Sequence, residues 1–479
     1  MLLGPVAGAL IGSGCYSFRR SSGGAQTTFS PPRKINAADI AVPPGYRIEL
    51  VSQGLNFPTG VTFDAEGRAY VVESGYCYGE VWTTPRLLRI EPGGAPAVIA
   101  TGGRNGPWNG VTFHNGAFYI AEGGELEGGR ILRVTLGGAI SALVTNLPSR
   151  GDHHTDGPAI GPDGWVYFGQ GTASNSGVVG PDNAEFGWLR RFPEFHDVPG
   201  QDIVLTGHNF RSKDPLSKKW ILTGAFSPLG TATTSGQVIK GEVPCNGAIL
   251  RVRPEGGNVE LVAWGFRNPF GIAFSPEGQL YASDNGYDDR GSRPVWGDAD
   301  VLWTIKAGTW YGWPDYSAGQ PLSNRMFKPP CKAELQFLLA THPNPPPRPV
   351  ARFGVHSSAD GLDFSRNAQF GYVGNAFVAL FGDEIPATGK LLHPVGFKVV
   401  QVDIRTGVIE DFAANRRAQN GPASKIGGGG LERPLAVRFD PAGKALYIVD
   451  FGVVTHLNKG AVPFPNSGAL WRVTREANP

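Results

Sequence analysis

The chain has 479 residues, of which 69 are glycine and 40 are proline, a composition typical of short strands joined by turns and unlike that of a helical protein. Its net charge of +2 gives no reason to expect a nucleic-acid partner or an acidic membrane surface. Runs with helical periodicity, coiled-coil heptads and apolar stretches of membrane-spanning length are absent from the sequence.

The N-terminal stretch MLLGPVAGALIGSGCYSFRR is apolar up to Gly14, too short for a spanning helix and similar to the core of an export signal. Cys15 follows Gly-Ser-Gly, as at a bacterial lipoprotein cleavage site, although Gly12 stands where leucine is typical. A plain signal peptide is the alternative. We predict export to the periplasm or cell surface, with Cys15 as a candidate lipid attachment site and 1–42 as signal and tether.

One strand–turn–strand unit recurs six times in the remainder, 43–479. Each copy has an apolar strand, a turn that usually ends in glycine, and a second β-rich strand. The copies are FPTGVTFDAEGRAYVVESG from Phe57, PWNGVTFHNGAFYIAEGG from Pro107, TDGPAIGPDGWVYFGQG from Thr155, NPFGIAFSPEGQLYASDNG from Asn268, SADGLDFSRNAQFGYVGNAFVALFG from Ser358 and RPLAVRFDPAGKALYIVDFG from Arg433. A further strand pair follows most copies. Four strands repeated six times predict an all-β, six-bladed β-propeller.

The last copy is one strand short, and YRIELVS at 46–52 is predicted to supply the missing outer strand and close the ring. Copies three and four carry long loop insertions, at 172–245 and 311–352. Insertions of that size belong on a face of the propeller, where they either build walls over a site or are neutral.

Superposing the copies shows which residue occupies the position before each innermost strand. In a propeller these equivalent positions surround the central channel at one end, so residues far apart in sequence should converge on one axial pocket. The positions are Asn56, Gly106, His153, Arg267, Ser357 and Glu432, with Asn105, His154, Asn268, His356 and Arg433 beside them.

Asp152 and His153, together with Arg267 and Asn268, form the strongest candidate for chemistry. An aspartate that fixes the tautomer of a histidine makes that histidine a better proton acceptor, and a nearby arginine can stabilise a developing alkoxide. A single polar residue at a channel mouth is more often a solvated loop residue than a ligand.

Two later stretches have less specific patterns. SDNGYDDRGSRP at 283–294 indicates a hard-cation site, because Ca²⁺ takes carboxylate and carbonyl oxygens, or else an ordinary acidic turn. WYGWPD at 310–315 gathers aromatic rings that could stack on a sugar or pack under a loop. Phosphate-binding loops and the HExxH, GxSxG and CxxCH motifs are absent, so redox chemistry would need a dissociable cofactor and a separate electron acceptor.

The motifs DHHTDGPAIGPDG, GFRNPFGIAFSPEGQLYASDNG, GTWYGWPD and HSSADGLDFS resemble the glucose/sorbosone dehydrogenases, which include the soluble PQQ-dependent glucose dehydrogenases, over roughly 46–475. The resemblance implies that His153 is the general base, that Asp152 orients it, and that Arg267 and Asn268 contact the cofactor and the reacting oxygens.

The resemblance also implies a cofactor-binding set. Asn105 stands where the family has a glutamine near the substrate, the backbone carbonyls of Gly286 and Tyr287 would hold Ca²⁺ against the PQQ quinone, and Arg433 matches the first of two cofactor-binding arginines. Two cations of the family pattern are missing. Leu435 replaces the second arginine, and the cofactor lysine has no clear counterpart around His356, although Lys390 or Lys425 could substitute from a loop.

We therefore predict an exported quinoprotein dehydrogenase that oxidises a sugar or polyol with PQQ and Ca²⁺ and passes electrons to an external quinone or cytochrome. The first alternative is a metal-dependent hydrolase or lactonase, with a catalytic cation at Asp284, Asp288 and Asp289. The second is a non-catalytic carbohydrate- or protein-binding propeller, which the missing cations favour. Membrane contact is expected only through a lipid on Cys15.

Overall fold

The computed structural model describes residues 29–476 except 78–80, 92, 125–126, 185–186, 384–392 and 458–459. Six antiparallel sheets, five of four strands and one of five, dominate this part of the chain, which confirms the predicted all-β, six-bladed propeller. Helical structure among the described residues is limited to single turns, at Trp188–Arg191, Ala423–Ile426, Ala37–Asp39, Pro181–Ala184 and Arg325–Phe327. Across these ranges no helix is long and apolar enough to span a membrane. Cys15 and Lys390 lie outside the described residues.

The first three blades follow one another directly along the chain, each running from its innermost strand outwards. Blade 1 consists of Pro58–Phe63, Ala69–Glu73, Arg86–Arg89 and Ala97–Thr101. Blade 2 consists of Trp108–His114, Ala117–Glu122, Gly129–Thr135 and Ile140–Leu147. Blade 3 consists of Thr155–Ile160, Val166–Gln170, Ala248–Val252 and Glu260–Trp264.

The last three blades repeat this order. Blade 4 consists of Ile272–Phe274, Leu280–Asp284, Ala299–Thr304 and Ala351–Val355. Blade 5 consists of Ala359–Phe364, Ala376–Leu380, Lys398–Asp403 and Val408–Asn415, with Ile40–Ala41 added at its outer edge. Blade 6 consists of Pro434–Phe439, Ala445–Asp450, Gly468–Arg475 and Tyr46–Leu55.

The ring closes as predicted, because the N-terminal strand Tyr46–Leu55 pairs antiparallel with Gly468–Arg475. Residues 33–42, which the sequence assigned to the tether, also contact the propeller. The Arg33 guanidinium donates to Asp450 Oδ2 at 2.6 Å and to the Ser467 carbonyl at 2.8 Å. This segment therefore packs on the last two blades, upstream of the predicted boundary at 42.

Neighbouring blades meet through aromatic pairs, which bury apolar area between twisted sheets. These pairs include Tyr70–Phe118, Tyr167–Phe274, Tyr281–Phe364, Phe377–Phe439 and Phe63–Tyr447, with ring centroids 4.5 to 5.4 Å apart. Close to the axis the strands approach so tightly that side chains are excluded. A Cβ on Gly110 would lie 1.9 Å from the Gly157 carbonyl oxygen, and one on Gly271 would lie 2.2 Å from that of Asp360.

The two long insertions leave blades 3 and 4 between their second and third strands and between their third and fourth strands, respectively. The blade 3 insertion forms the ribbons Ile203–Val204 with Val238–Ile239 and Asn209–Lys213 with Trp220–Gly224. The blade 4 insertion forms Tyr316–Ser317 with Gln320–Pro321, and a bridge from Leu205 to Leu339 joins the two. Two further ribbons are Tyr76–Cys77 with Val81–Trp82 and Val454–Leu457 with Gly460–Pro463.

The aromatic rings of the WYGWPD stretch are buried in the blade 4 insertion. Trp310, Tyr311 and Trp313 are at most 5% exposed, and Trp310 stacks on His342 with centroids 5.3 Å apart. These rings therefore pack under a loop and do not present a sugar-stacking surface. Cys245 is a buried free thiol and Cys331 an exposed one.

Candidate active site

An axial cavity of about 110 Å³ opens at the centre of the ring. One equivalent residue of each blade, on its innermost strand or the segment leading into it, lies on the wall. These residues are Thr59, Asn109, Asp156, Phe270, Asp360 and Leu435. Every one of them lies three residues after the position that the sequence repeat predicted. Of the predicted positions and their neighbours, His153, His154 and Asn268 also line the cavity.

His153 lines this cavity and is 7% exposed. Its Nδ1 lies 3.0 Å from the Thr172 carbonyl and 3.1 Å from Thr172 Oγ1, whose own hydrogen is donated to the Ser174 carbonyl. Both Thr172 oxygens are thus acceptors, so Nδ1 carries the proton and Nε2 keeps its lone pair. Burial, with Arg267 and Arg290 adding to it, holds the pKa of His153 well below its ordinary value. A neutral imidazole with Nε2 as acceptor can take a proton from a substrate.

Asp152 does not orient His153, which corrects the predicted contact. Its Oδ1 accepts from Asn183 Nδ2 at 2.8 Å and its Oδ2 from Arg290 Nη1 at 2.7 Å. Burial raises the pKa of Asp152 to about 6, although Arg290 opposes that rise. The Thr172 carbonyl performs the orienting role instead, because the backbone of 152–153 pairs with that of 172–173.

Arg267 belongs to a buried ion network. Its Nη2 donates to Asp288 Oδ2 at 2.6 Å, and its Nε donates to Asn175 Oδ1 at 3.2 Å. Arg290 Nε donates to the same Asp288 oxygen, and His356 Nδ1 lies 3.3 Å from the other. Burial opposes ionisation of Asp288, but Arg267 and Arg290 outweigh it and lower the pKa of Asp288 well below its usual range.

Asn268 lines the cavity beside His153. Its backbone N–H donates to Asp284 Oδ1 at 2.8 Å, and its Nδ2 donates to Asn285 Oδ1 at 2.8 Å. Asp284 also accepts from Trp303 Nε1 and is therefore a structural acceptor. With Asp284 and Asp288 engaged in this way, the cation set predicted for a hydrolase does not form. In the part of the chain that the structure describes, no three His, Cys, Asp or Glu side chains are grouped to hold a metal.

Gly286 and Tyr287 line a smaller cleft together with Arg267 and Asn285. Their backbone N–H groups donate to Asp300 Oδ1 at 2.8 Å and to Asp298 Oδ2 at 2.9 Å, which fixes this turn. Neither of their carbonyls accepts a hydrogen bond from any residue that the structure describes. Two neighbouring carbonyl oxygens without donors suit a hard cation.

Asn105 and Arg433 are not on the wall of the axial cavity. Asn105 Nδ2 donates to Glu122 at 2.9 Å and to the Gly128 carbonyl at 3.0 Å. The fully buried Arg433 guanidinium donates to the carbonyls of Gly382 and Asp383 and lies over the Phe381 ring, 4.8 Å from its centroid. Both predicted cofactor contacts are thus engaged within the protein.

Of the two candidate substitute lysines, the structure describes Lys425. Burial lowers the pKa of Lys425, an effect that Asp383 opposes and Arg433 reinforces, so its ammonium group lies near both. Leu435, which replaces the second arginine, lines the axial cavity.

The insertions contribute site residues that the repeat could not identify. Asn175 and Asn183 hold Arg267 and Asp152, and Asp197 accepts from the Ala173 N–H at 2.6 Å beside the His153 support.

The sequence analysis also missed Asp156 and Asp360 on the wall of the axial cavity. Asp156 is 1% exposed, and burial together with the Asp360 charge raises its pKa well above the ordinary value. A position counted three residues further along each copy of the repeat would have identified both aspartates.

The family model for Glucose / Sorbosone dehydrogenase matches residues 233–337. The match confirms the resemblance stated from the sequence motifs, over less than half of the chain. No protein of curated function matches this chain in sequence.

Solved structures share the propeller over nearly the whole chain. The holo form of the pyranose dehydrogenase PQQ domain from Coprinopsis cinerea is 16% identical, with a TM-score of 0.55, covering 93% of this chain and 98% of that one. The calcium structure of a Trichoderma reesei carbohydrate-active enzyme of family AA12 is 17% identical, with a TM-score of 0.51 and coverages of 92% and 98%. The apo form of the soluble aldose sugar dehydrogenase from Escherichia coli is 14% identical, with a TM-score of 0.51 and coverages of 90% and 100%. At these identities the likeness shows the fold alone.

Proposed function

We propose that this chain, whose family match and fold are those of the glucose/sorbosone dehydrogenases, oxidises a hydroxyl group of a sugar or polyol with PQQ and Ca²⁺ as cofactors. The observation that carries the proposal is the tautomer of His153. Its Nδ1–H is held by Thr172, which leaves Nε2 as an acceptor on a buried ring that lines the axial cavity. A dehydrogenase needs such a base to remove the hydroxyl proton as the C–H hydrogen leaves with its electron pair.

The surrounding residues would orient the substrate and balance charge. Arg267 lies beside the His153 support, because its carbonyl accepts the Thr172 N–H at 2.9 Å. Its side chain belongs to the smaller cleft at Gly286 and Tyr287 and not to the axial cavity, and we propose that the guanidinium acts from there on negative charge that develops on the substrate oxygen. Asp288 keeps that guanidinium fixed through the 2.6 Å contact.

The residues present fit the calcium ion better than the carboxylates of PQQ. The carbonyls of Gly286 and Tyr287 would hold Ca²⁺, and Asn268 would contact the cofactor. Bound PQQ would supply the acceptor for the hydride. Its carboxylates call for cations, and Arg433 donates to the carbonyls of Gly382 and Asp383. Lys425 lies near that arginine, and we propose it as a carboxylate partner.

The reduced cofactor must pass its electrons on, so we propose an external quinone or cytochrome as the acceptor. We also propose that the protein is exported, on the basis of the apolar N-terminal stretch. Labelling with a fatty-acid analogue tests lipid attachment, and absence of label on Cys15 would leave a plain signal peptide.

Binding of PQQ to the purified protein, measured by titration calorimetry with and without Ca²⁺, tests the proposed function. We expect Ca²⁺-dependent binding, followed by turnover of a sugar panel with a dye acceptor. No binding at micromolar PQQ would overturn the dehydrogenase function. A sugar that binds without turnover would then support the carbohydrate-binding alternative.

A further inference from the structure

A two-stranded hairpin of the blade 3 insertion, residues 209–224, carries apolar side chains that face the solvent, and we call it the exposed hairpin. In the part of the chain that the structure describes, its two strands pair only with each other. Trp220 is 57% exposed, and Leu222 and Leu216 are each 49% exposed. A tryptophan and two leucines this exposed, on one short ribbon, indicate a surface that another molecule covers.

The pleat of the exposed hairpin sorts its side chains into an inner and an outer face, because successive residues of a strand point to opposite sides. Thr223 is fully buried on the inner face. On the outer face, Lys213 is paired across the strands with Trp220, and Arg211 with Leu222. The Arg211 guanidinium lies 4.4 Å from the centroid of the Trp220 ring, and the Lys213 ammonium lies 5.5 Å from it. The outer face is therefore apolar and cationic at once.

Positive charge predominates in the exposed hairpin. Its charged residues are four cations and one acid: Arg211, Lys213, Lys218, Lys219 and Asp214. The carboxylate of the acid accepts hydrogen bonds from the turn of the hairpin itself. Among the described residues no carboxylate forms an ion pair with any of the four cations. The net charge of +2 for the whole chain does not reveal this local excess, which suits an anionic partner.

We propose that the exposed hairpin docks on an anionic membrane surface, with Trp220, Leu222 and Leu216 in the interfacial layer and the cations on lipid phosphates. Tryptophan is enriched at the membrane–water interface, and each lysine or arginine beside an anionic leaflet strengthens binding about fivefold. A stable protein interface covers about 800 Å² per partner, which is more than three apolar side chains offer, so the observations favour a lipid surface. This contact adds to the lipid attachment predicted at Cys15 and does not depend on PQQ.

Co-sedimentation of the full-length protein with phosphatidylcholine vesicles, with and without phosphatidylglycerol, tests the proposal. Cys15→Ser is present throughout, so that no attached lipid contributes. We expect binding to the anionic vesicles that weakens as salt rises from about 0.1 M to about 1 M, because the Debye length falls from about 10 Å to about 3 Å. Lys213→Gln combined with Lys219→Gln should lower the affinity about 25-fold. The matched control, Lys306→Gln with Lys444→Gln, removes the same charge at exposed positions elsewhere and should leave the affinity unchanged.

A fluorophore that reports the polarity of its surroundings shows whether the hairpin itself enters the lipid. It is attached to Leu216→Cys or to the control Val373→Cys, at a position that is 55% exposed before blade 5's second strand, and Cys331→Ser removes the exposed native thiol. We expect a blue shift on anionic vesicles at the first position and none at the second.

No shift at Leu216→Cys, or vesicle binding that the paired lysine substitution leaves unchanged, would overturn the proposal and leave an acidic protein as the partner to seek. Circular dichroism checks that each variant is folded. Neither measurement involves PQQ or turnover, so this proposal and the dehydrogenase function fail independently.

Discussion

The hydrogen bonds around individual residues decide what the candidate site can do. The sequence repeat predicted that His153 and Asn268 face the axis, and both line the cavity. It could not predict that the Thr172 carbonyl, and not Asp152, holds the imidazole, because that contact depends on how the chain leaves blade 3. Asn175 and Asn183 could not be predicted for a similar reason, since they lie in an insertion that has no counterpart in the other copies.

Replacing His153 with glutamine should abolish most turnover while leaving the fold intact. Glutamine keeps a polar side chain of similar length but cannot take a proton, and loss of a general base costs about 10² to 10⁴ in rate. The measurement is kcat/KM for wild type, for His153→Gln and for the control His208→Gln, which changes an exposed histidine. Equal turnover in wild type and His153→Gln would mean that another group is the base.

His154 should make the protein sensitive to acid. Burial lowers the pKa of His154 to about 4, so between pH 6.5 and 4 the unfolded chain binds a proton that the folded protein excludes. The contribution of His154 to the free energy of unfolding is therefore complete above pH 6.5. It is lost as the pH falls towards 4, by about 3 kcal/mol in total. The free energy of unfolding, measured by urea titration across that range, should fall less steeply in His154→Asn than in wild type. His208→Asn is the control, and identical slopes in all three proteins would contradict the prediction.

At the scale of the elements, the blades form the wall of the axial cavity, and the two insertions support it from outside. The sequence identified both insertions by their length, but it could not show that they bridge to each other at Leu205 and Leu339. Their junction includes a fully buried ion pair, in which Arg293 Nη2 donates to Asp315 Oδ1 at 3.0 Å. Asp315 also accepts the backbone N–H groups of Leu338 and Leu339.

Replacing Arg293 with methionine should destabilise this junction strongly. The apolar side chain fills the space but leaves the Asp315 carboxylate buried without its cation, which costs about 3–5 kcal/mol. Arg325→Met is the matched control, because Arg325 is 82% exposed and pairs with a half-exposed Glu334, so its loss should cost no more than about 0.5 kcal/mol. Denaturant unfolding at pH 7 measures both, and equal losses would show that other donors hold Asp315.

At the scale of the whole molecule, the sequence predicted blade number, strand order and ring closure, because a repeat of one unit leaves little freedom in how the units assemble. The contacts of the segment 33–42 could not be predicted in this way, because the segment belongs to none of the six copies. It anchors the closed ring through Arg33, whose side chain is 3% exposed beside Asp450 and Glu432.

Replacing Arg33 with methionine should weaken ring closure. Two buried carboxylates, Asp450 and Glu432, would lose their shared cation, and we expect a loss of about 3–5 kcal/mol. Lys34→Met is the control, since Lys34 is the exposed neighbour. The readout is the midpoint of thermal unfolding for both variants, and a matching small shift in both would show that Arg33 does not hold the ring.

The residue that follows each of the six equivalent wall residues of the axial cavity has almost no side chain. The six are Gly60, Gly110, Gly157, Gly271, Gly361 and Ala436. The backbones therefore set the width of the bore, and each blade offers a single changeable side chain at that level. The shape of the bore and its chemistry can therefore change independently in evolution. A descendant can carry leucine or asparagine in place of aspartate at one blade and bind a different ligand, while the glycines keep the ring unaltered.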